Sequence, residues 1–342
     1  MITERVFGKI KGIDIPEVTL HNSAGMEVAI LAYGATIRSV LVPTASGKKV
    51  EVCLGYDTID EYVNNDGYFG GSIGRFANRI GGAAFDLDGV HYNVGANTPP
   101  HHLHGGFHGW NTKIWNYTID REENSVTFTC KSADGEEGYP GEVCASGKFT
   151  VTEDNRMVIE YTAVTDKATP VNMTNHWYFN LNGHASGTVL DHELQLFADS
   201  FTEIDDGLIP TGTILPVDGT ALDFRTMKPI RRDFDRVAGL ATGGYDHNFF
   251  IGKPGEFKKF AVLRGDKSGI TMTGWTNMEA FQVYTGNMLT DRNGKEKAHY
   301  TRNSAMCMEP HHCPDAVNKP QFPSAILRPG ETYYHHTEFR FE

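Results

Sequence analysis

The sequence predicts an all-β protein, a large antiparallel β-sandwich, and three features of the pattern favour it. Hydrophobic residues recur with a period of two, as in "KFTVTEDNRMVIEYTAV" at 148–164. Helical periodicity is nearly absent. In "FDLDGVHYNV", at 85–94, the pair Asp88-Gly89 is typical of a two-residue hairpin turn, because both central positions of that turn need positive φ. The high number of predicted strands favours a sandwich over a closed barrel.

The elements follow from the same pattern in chain order. Alternating runs predict strands at 28–31, 37–42, 125–130, 192–197 and 282–284. The stretch at 148–164 is expected to form a hairpin that turns at 153–156, where polar residues interrupt the alternation. Only "RTMKPIRRDFDRVAGL", at 225–240, is expected to hold a short helix, and Pro229 limits its length.

Composition narrows the classes of partner. The chain has no Pro/Ser-rich linker and no fixed repeat, so we expect one domain over residues 1–342. The formal net charge of −12 argues against nucleic acid and membrane surfaces as partners, because no basic stripe is available. Five cysteines without a CxxC pair, and no apolar leader or long apolar run, are typical of a cytoplasmic protein. A monomer or a homodimer is expected.

The segment "HHLHGGFHG", at 101–109, is crowded with histidines. In an extended strand alternate side chains share a face, so His102 and His104 are expected together, with His101 pointing the other way. Such a pair fits a metal site of the cupin kind, and it also fits imidazoles that transfer protons or bind a ligand. The metal interpretation is disfavoured because Gly105-Gly106 interrupts the strand and no Glu follows at the expected distance.

The glycine-rich segment "GGSIGRFANRIGG", at 70–82, does not fit the dinucleotide fingerprint G-x-G-x-x-G, and no helix pattern follows it. Its Arg75, Asn78 and Arg79 are donors suited to sugar hydroxyls or carboxylates. Taken alone, a turn with solvated arginines is the simpler interpretation.

Two further segments carry polar groups on apolar strands. Alternation in "TPVNMTNHWYFNLNG", at 169–183, places His176 on one face with Asn172 and other polar side chains, which fits the lining of a cleft as well as a satisfied core. In "AMCMEPHHCPDAVN", at 305–318, an apolar strand is expected to end at Glu309, before Pro310. A carboxylate there is costly unless it is paired or used. Asp246 in "GYDHNFF" is by itself no more than a turn residue.

Taken together and in this order, seven segments resemble the aldose 1-epimerase family, the galactose mutarotases. They are "GRFANRI", "LHGG", "DGEEGYPG", "ATPVNMTNHWYFNLNG", "YDHNF", "QVYTGN" and "PDAVN". The resemblance extends over nearly the whole chain and implies a galactose mutarotase-like supersandwich with an open cleft. It also implies an isomerase that interconverts the α and β anomers of a hexose such as galactose or glucose, with no cofactor and no metal.

The resemblance assigns roles by matching motifs. His176 in "TNHWYFNL" is implied to be the general acid, Glu309 before "PDAVN" the general base, and His104 in "LHGG" a group near the ring oxygen. The substrate-binding residues that it implies are Asn78, Arg79, Asp246 and Gln282. A carboxylate with an ordinary pKa of about 4.3 and an imidazole near 6.5 can hold opposite protonation states near neutral pH, as ring opening requires.

The chain departs from the usual family pattern at two places that bear on which sugar hydroxyls are recognised. It has His101 and His102 where Asn-Ser is common. It has Glu309, Pro310 and His311 where "ETQ" is common. Two other functions stay open on the sequence. One is a sugar-binding or regulatory protein without activity on the same scaffold, and the other is a cupin-like metal enzyme.

Overall fold

Strands dominate the computed structural model, which describes residues 1–44, 46–64 and 66–342. In the first half of the chain the strands are β1 (Ile2–Ile10), β2 (Ile13–His21), β3 (Glu27–Leu31), β4 (Thr36–Pro43), β5 (Lys49–Glu51), β6 (Ser72–Ile73), β7 (Arg79–Ile80), β8 (Ala84–Leu87), β9 (Val90–Asn93), β10 (His102–Leu103), β11 (Asn116–Asp120), β12 (Ser125–Ser132), β13 (Val143–Val151) and β14 (Arg156–Thr165). In the second half they are β15 (Thr169–Pro170), β16 (Thr174–Asn175), β17 (Glu193–Leu196), β18 (Ser200–Ile204), β19 (Pro210–Pro216), β20 (Lys228–Pro229), β21 (Asp246–Phe250), β22 (Lys258–Arg264), β23 (Thr271–Thr276), β24 (Ala280–Tyr284), β25 (Arg292–Asn293), β26 (His299–Tyr300), β27 (Cys307–His311), β28 (Ile326–Leu327) and β29 (Tyr333–Phe341).

Helices are short and few among the described residues. The α-helices are α1 (Ile59–Val63) and α2 (Asp235–Ala238), and the 3₁₀ turns are Gly81–Ala83, Trp110–Thr112, Glu136–Gly138, Ile230–Asp233, Lys295–Lys297 and Ala316–Asn318. None of the helices in the part of the chain that the structure describes is long and apolar enough to cross a membrane.

Most strands belong to three antiparallel sheets. The first runs in the order β1-β2-β3-β4-β5, the second in the order β11-β12-β13-β14-β29-β23-β22-β17-β20, and the third in the order β19-β18-β21-β24-β27. One apolar core joins them, since Val28 of the first sheet, Phe149 of the second and Phe281 of the third belong to the same buried cluster. This arrangement confirms the predicted antiparallel β-sandwich.

The local predictions from alternation hold where strands are long. Asp88 and Gly89 form the turn between β8 and β9 with φ of 50° and 80°, the positive values that this turn requires. The hairpin at 148–164 is formed by β13 and β14. The predicted helical segment at 225–240 contains β20, a 3₁₀ turn and the four-residue helix α2.

Two predicted strands differ from the structure, and both border the cleft described below. Segment 169–183 does not form a continuous strand but only β15, β16 and isolated bridges such as Phe179 with Met306, so its side chains do not alternate regularly. β27 does not end at Glu309 but continues through Pro310 to His311. Because β27 is the last strand of the third sheet, a proline without an N–H is tolerated in it.

Candidate active site

A cleft of about 260 Å³ opens at the third sheet and is lined by all seven residues to which the family resemblance assigned catalytic or substrate-binding roles. Its lining consists of Asp66, Gly67, Tyr68, Asn78, Arg79, Leu103, His104, His176, Tyr178, Asp246, Gln282, Tyr284, Met288, Leu289, Arg292 and Glu309. Polar groups from segments far apart in the sequence therefore converge on one cavity, which is the usual form of a small-molecule site.

The floor of the cleft is one face of β21, β24 and β27. Asp246 lies opposite Tyr284, and Gln282 lies opposite Glu309, so these side chains project from the same side of the sheet. The amide of Gln282 donates through Nε2 to Asp246 Oδ1 at 2.6 Å. Among the described residues no partner is found for Gln282 Oε1, which leaves this buried acceptor for a ligand.

Glu309 is the central carboxylate of the cleft. It is 2% exposed, and its Oε1 lies 3.7 Å from His176 Nε2. Burial raises the pKa of Glu309 well above its ordinary value, the charge of Asp246 raises it further, and Arg79 opposes the shift. The environment therefore favours the protonated form of this carboxyl group when no ligand is bound.

His176 follows β16 and sits among aromatic rings. Its ring centroid lies 5.0 Å from that of Tyr178, 5.1 Å from that of His104 and 5.7 Å from that of Tyr68. The backbone of His176 is fixed on both sides, because its N–H donates to Gly71 O and its carbonyl accepts from Gly70 N–H, each at 2.9 Å. Burial lowers the pKa of His176 to about 4, so the neutral imidazole is favoured in the free cleft.

His104 is held by the backbone of Asn78. The His104 N–H donates to Asn78 O at 3.0 Å, and the Asn78 N–H donates to His104 Nδ1 at 3.2 Å. Burial, and then the neighbouring His176, lower the pKa of His104 well below its ordinary value. Because Nδ1 of this neutral ring accepts a hydrogen bond, the ring proton is assigned to Nε2, and His104 can donate from that atom.

Arg79, in β7, and Asn78, just before it, also line the cleft. Asn78 has φ of +62°, and its Oδ1 accepts from the Arg79 N–H at 2.9 Å. No hydrogen bond or ion pair of the Arg79 guanidinium is found within the described residues, although its charge acts on Glu309 and His104. A guanidinium group that lines a cleft and has no partner there is well suited to bind ligand hydroxyls.

Three expectations about neighbouring residues are wrong. His102 does not share the cleft with His104: its Nδ1 donates to Gly95 O and its Nε2 accepts from the Tyr139 hydroxyl, both at 2.6 Å. The alternation fails because β10 ends at Leu103 and His104 takes a positive φ of 52°.

Arg75 is neither a ligand donor nor solvated. It is 2% exposed and donates to the carbonyl oxygens of Pro140 and Gly141 at 2.9 Å, which makes it a brace between loops. Asn172 likewise lies outside the cleft lining, with its amide hydrogen-bonded to the backbone of Ala77 and His312.

Several lining residues were missed by the sequence reasoning. Arg292 forms an ion pair with Asp66 at 2.8 Å, Met288 is 59% exposed, and Tyr68 covers His104 with ring centroids 4.7 Å apart. These residues come from loops, where no periodicity predicts the direction of a side chain.

His104, His176 and Glu309 also form the kind of donor set that zinc prefers, with ligand atoms within 4.8 Å of one another. The hydrogen bonds do not favour this use. A metal on His104 Nε2 would require the ring proton to move to Nδ1, which already faces the N–H of Asn78. The three residues fit proton transfer better than metal ligation.

Comparison with known proteins gives one consistent answer. The family model for aldose 1-epimerase matches residues 16–340. A galactose mutarotase from Mus musculus is 40% identical over 99% of this chain and 98% of its own length, and an aldose 1-epimerase from Escherichia coli is 36% identical over 95% and 94%. A solved aldose epimerase homologue from C. elegans superimposes with a TM-score of 0.89 at 32% identity, covering 95% of this chain and 98% of that one. The chain belongs to the aldose 1-epimerase family.

Proposed function

We propose that the protein interconverts the α and β anomers of a hexose, such as galactose or glucose, by opening and reclosing the sugar ring. The observation that carries the proposal is the pair of buried acid–base groups, Glu309 and His176, 3.7 Å apart in a cleft lined by hydroxyl-binding side chains. The names of the relatives, galactose mutarotase and aldose 1-epimerase, support the same reaction and substrate class.

The reaction needs two proton transfers on opposite sides of the anomeric carbon. Ionised Glu309 takes the proton of the C1 hydroxyl, protonated His176 gives a proton to the ring oxygen, the bond from C1 to the ring oxygen breaks, and C1 becomes an aldehyde. Rotation about C1–C2 exposes the other carbonyl face, and both transfers then run backwards to close the ring. Positioned proton transfer of this kind typically contributes about 10²–10⁴-fold.

The protonation state of the pair differs from that expected on ordinary pKa values. Burial disfavours both charges, so the free cleft favours protonated Glu309 and neutral His176. This state and the reactive state, ionised Glu309 with protonated His176, contain the same single proton. Ring opening also leaves Glu309 protonated and His176 neutral, so burial favours the open-chain stage. The fraction of protein in the reactive state depends on which of the two groups holds the single proton.

The pH profile follows from this shared proton. The acid limb of kcat/KM reports addition of a second proton to the pair and is expected near pH 4, where burial places the pKa of His176. The alkaline limb reports loss of the only proton, from Glu309, whose pKa burial raises. Between the limbs the pair holds one proton and activity is constant.

The other predicted residues support binding and charge. We propose that His104 donates from Nε2 to the ring oxygen as negative charge develops there, since the Asn78 N–H fixes the tautomer. Arg79, Asp246, Gln282 and Asn78 would bind the sugar hydroxyls that do not react. All four line the cleft, and among the described residues no partner is found for Gln282 Oε1.

The test is polarimetry of freshly dissolved α-D-galactose and α-D-glucose with the purified protein, with xylose and arabinose as probes of preference. Acceleration of the approach to anomeric equilibrium is expected. Binding of the sugars without acceleration would contradict the proposal and leave a sugar-binding protein on this scaffold.

We also propose that residues 1–342 act as one β-sandwich domain, as a monomer or homodimer, in the cytoplasm. The large core cluster supports the single domain because it contains both Ile2 and Phe341. The cysteines in the structure are free thiols, which is typical of a reducing compartment. Light scattering after size exclusion would give the mass in solution, and a species larger than a dimer would contradict this part.

A further inference from the structure

A row of buried polar atoms lies beside the cleft, on the same sheet face as Glu309. Asn248 lies opposite Gln282, which lies opposite Glu309, and in the next row Ala280 lies opposite His311. Within the described residues, no hydrogen-bond partner is found for Glu309 Oε2, His311 Nε2 or the side-chain amide of Asn248. Leaving a buried polar group unpaired is unfavourable, so these atoms favour an occupant.

The strand register places no large side chain between these atoms in the next row. Ala280, which lies opposite His311, presents only a methyl group. The Gln282 amide is directed toward Asp246, to which it donates a hydrogen bond. His311 and Asn248 are 0% and 2% exposed, so both side chains are closed off from bulk solvent. Neither residue belongs to the cleft lining, so the occupant lies behind Glu309 and not in the sugar site.

The donors and acceptors match one water molecule. His311 Nδ1–H donates to the His312 carbonyl at 2.6 Å, which leaves Nε2 of the neutral ring as an acceptor. Burial lowers the pKa of His311 to about 4, so the ring stays neutral around pH 7. The Glu309 carboxylate oxygen is a second acceptor and Asn248 Nδ2 is a donor. Two acceptors and one donor are the complement of a water that donates twice and accepts once.

We propose that Asn248 and His311 hold a buried water against Glu309 Oε2, which makes His311 a positioning residue for the general base. The inference rests on the proposed function for its catalytic consequence, though not for the water itself. A water that donates to an ionised carboxylate forms a charge-assisted hydrogen bond, so it favours ionised over protonated Glu309. The bound water therefore raises the fraction of the pair in the reactive state.

Other groups also set the protonation of Glu309. Those that face it or act on it are Arg79 of β7, His104 after β10, His176 and Tyr178 after β16, Asp246 of β21, Tyr284 of β24 and Cys307 of β27. A substitution at position 311 leaves these side chains in place, but the charge of His311 also lowers the pKa of His176 and of His104. A variant that removes this charge and keeps an acceptor at position 311 therefore separates the two effects.

The experiment compares three variants by the pH dependence of kcat/KM for α-D-galactose between pH 4 and 10. His311→Leu removes the acceptor. His311→Gln offers an amide oxygen at similar reach to Nε2. His192→Leu is the control for loss of a buried histidine, because His192 is 0% exposed, accepts from the Leu181 N–H through Nε2 and lies outside the cleft lining.

His311→Leu is expected to lower the plateau of kcat/KM about 10-fold and to raise the alkaline limb by about one pH unit, with KM changed by less than about threefold. The two changes are linked, because both follow from the pKa of Glu309. Each pH unit by which the alkaline limb rises lowers the fraction of protein in the reactive state about 10-fold. The profiles should converge above the alkaline limb, where Glu309 is ionised in either protein. His311→Gln should remain within about threefold of the parent, and His192→Leu should lose thermal stability without a shift of the limb.

A lower plateau without the matching shift, or an alkaline limb that moves to lower pH, would overturn the proposal. If His311→Leu does not fold, Asn248→Ala removes the donor of the same water and is expected to show the same linked change. A crystal structure of the sugar-free protein gives an independent test, since a water within hydrogen-bond distance of Glu309 Oε2 and His311 Nε2 is expected. Density without a water there would refute the inference even if the protein is an active epimerase. An inactive parent protein that holds the water would instead refute the proposed function.

Discussion

Replacing Glu309 by Gln should reduce activity and raise stability at the same time. The amide keeps the shape of the side chain but cannot accept the proton of the C1 hydroxyl, so kcat should fall about 10²–10⁴-fold while sugar affinity changes little. The stability effect follows from burial, which raises the pKa of Glu309 well above its ordinary value of 4.5. At a pH between 4.5 and the raised pKa, the native state keeps a proton on Glu309 that the unfolded state releases. The parent protein therefore loses stability as the pH rises through this window.

The loss amounts to about 1.4 kcal/mol per pH unit within that window, and at most about 3.5 kcal/mol between pH 4.5 and 7. Gln does not titrate, so the difference between Glu309→Gln and the parent should grow over this window and level off below pH 4.5. Urea unfolding at pH 4, 5.5 and 7, with activity measured by polarimetry, gives both quantities.

Glu279→Gln is the matched control, because Glu279 is buried like Glu309 but is paired with His312 at 2.9 Å. Burial acts to raise the pKa of Glu279, yet the charge and hydrogen bond of His312 lower it overall. A group with a depressed native pKa contributes stability above its unfolded pKa and loses it as the pH falls, so Glu279→Gln should destabilise the protein at pH 7. Equal pH dependence of the two variants, or full activity in Glu309→Gln, would refute the reasoning.

Four further outcomes are expected. His176→Asn should lose activity as Glu309→Gln does, and the double variant should be much less than multiplicatively worse in polarimetric kcat/KM, because both groups act in one step; multiplicative losses would contradict the shared role. Arg79→Ala should mainly raise KM, by about 10-fold or more, since a charged hydrogen bond to a hydroxyl contributes about 1.5–3 kcal/mol, and a change in kcat alone would show the assignment to be wrong. His102→Ala should lower the melting temperature, since it removes the bonds to Gly95 and Tyr139, and leave the ratio of galactose to glucose activity unchanged. Excess EDTA should leave the rate unchanged, and activity that disappears with EDTA and returns with a divalent metal would establish a metal site instead.

The sequence by itself determined the fold class and seven of the residues that line the cleft. A period of two persists in long strands because each strand buries one face, so the alternation at 148–164 and the Asp88-Gly89 turn are correct in the structure. The ordered motifs indicated the family, and the residues they pointed to meet in one cavity even though they come from β7, β21, β24, β27 and the loops between.

Tertiary structure decided what those residues can do. Alternation is a local rule that fails where a strand is two residues long, so only the packed structure shows that His104 turns into the cleft at φ of 52° while His102 turns to Tyr139. Two arginines of the same glycine-rich segment also have different environments. Arg79 lines the cleft, whereas Arg75 is hydrogen-bonded to loop carbonyl groups. Protonation is decided the same way, because burial depends on what the rest of the chain places around a group, and no sequence spacing reports that desolvation favours the neutral form of both Glu309 and its partner imidazole.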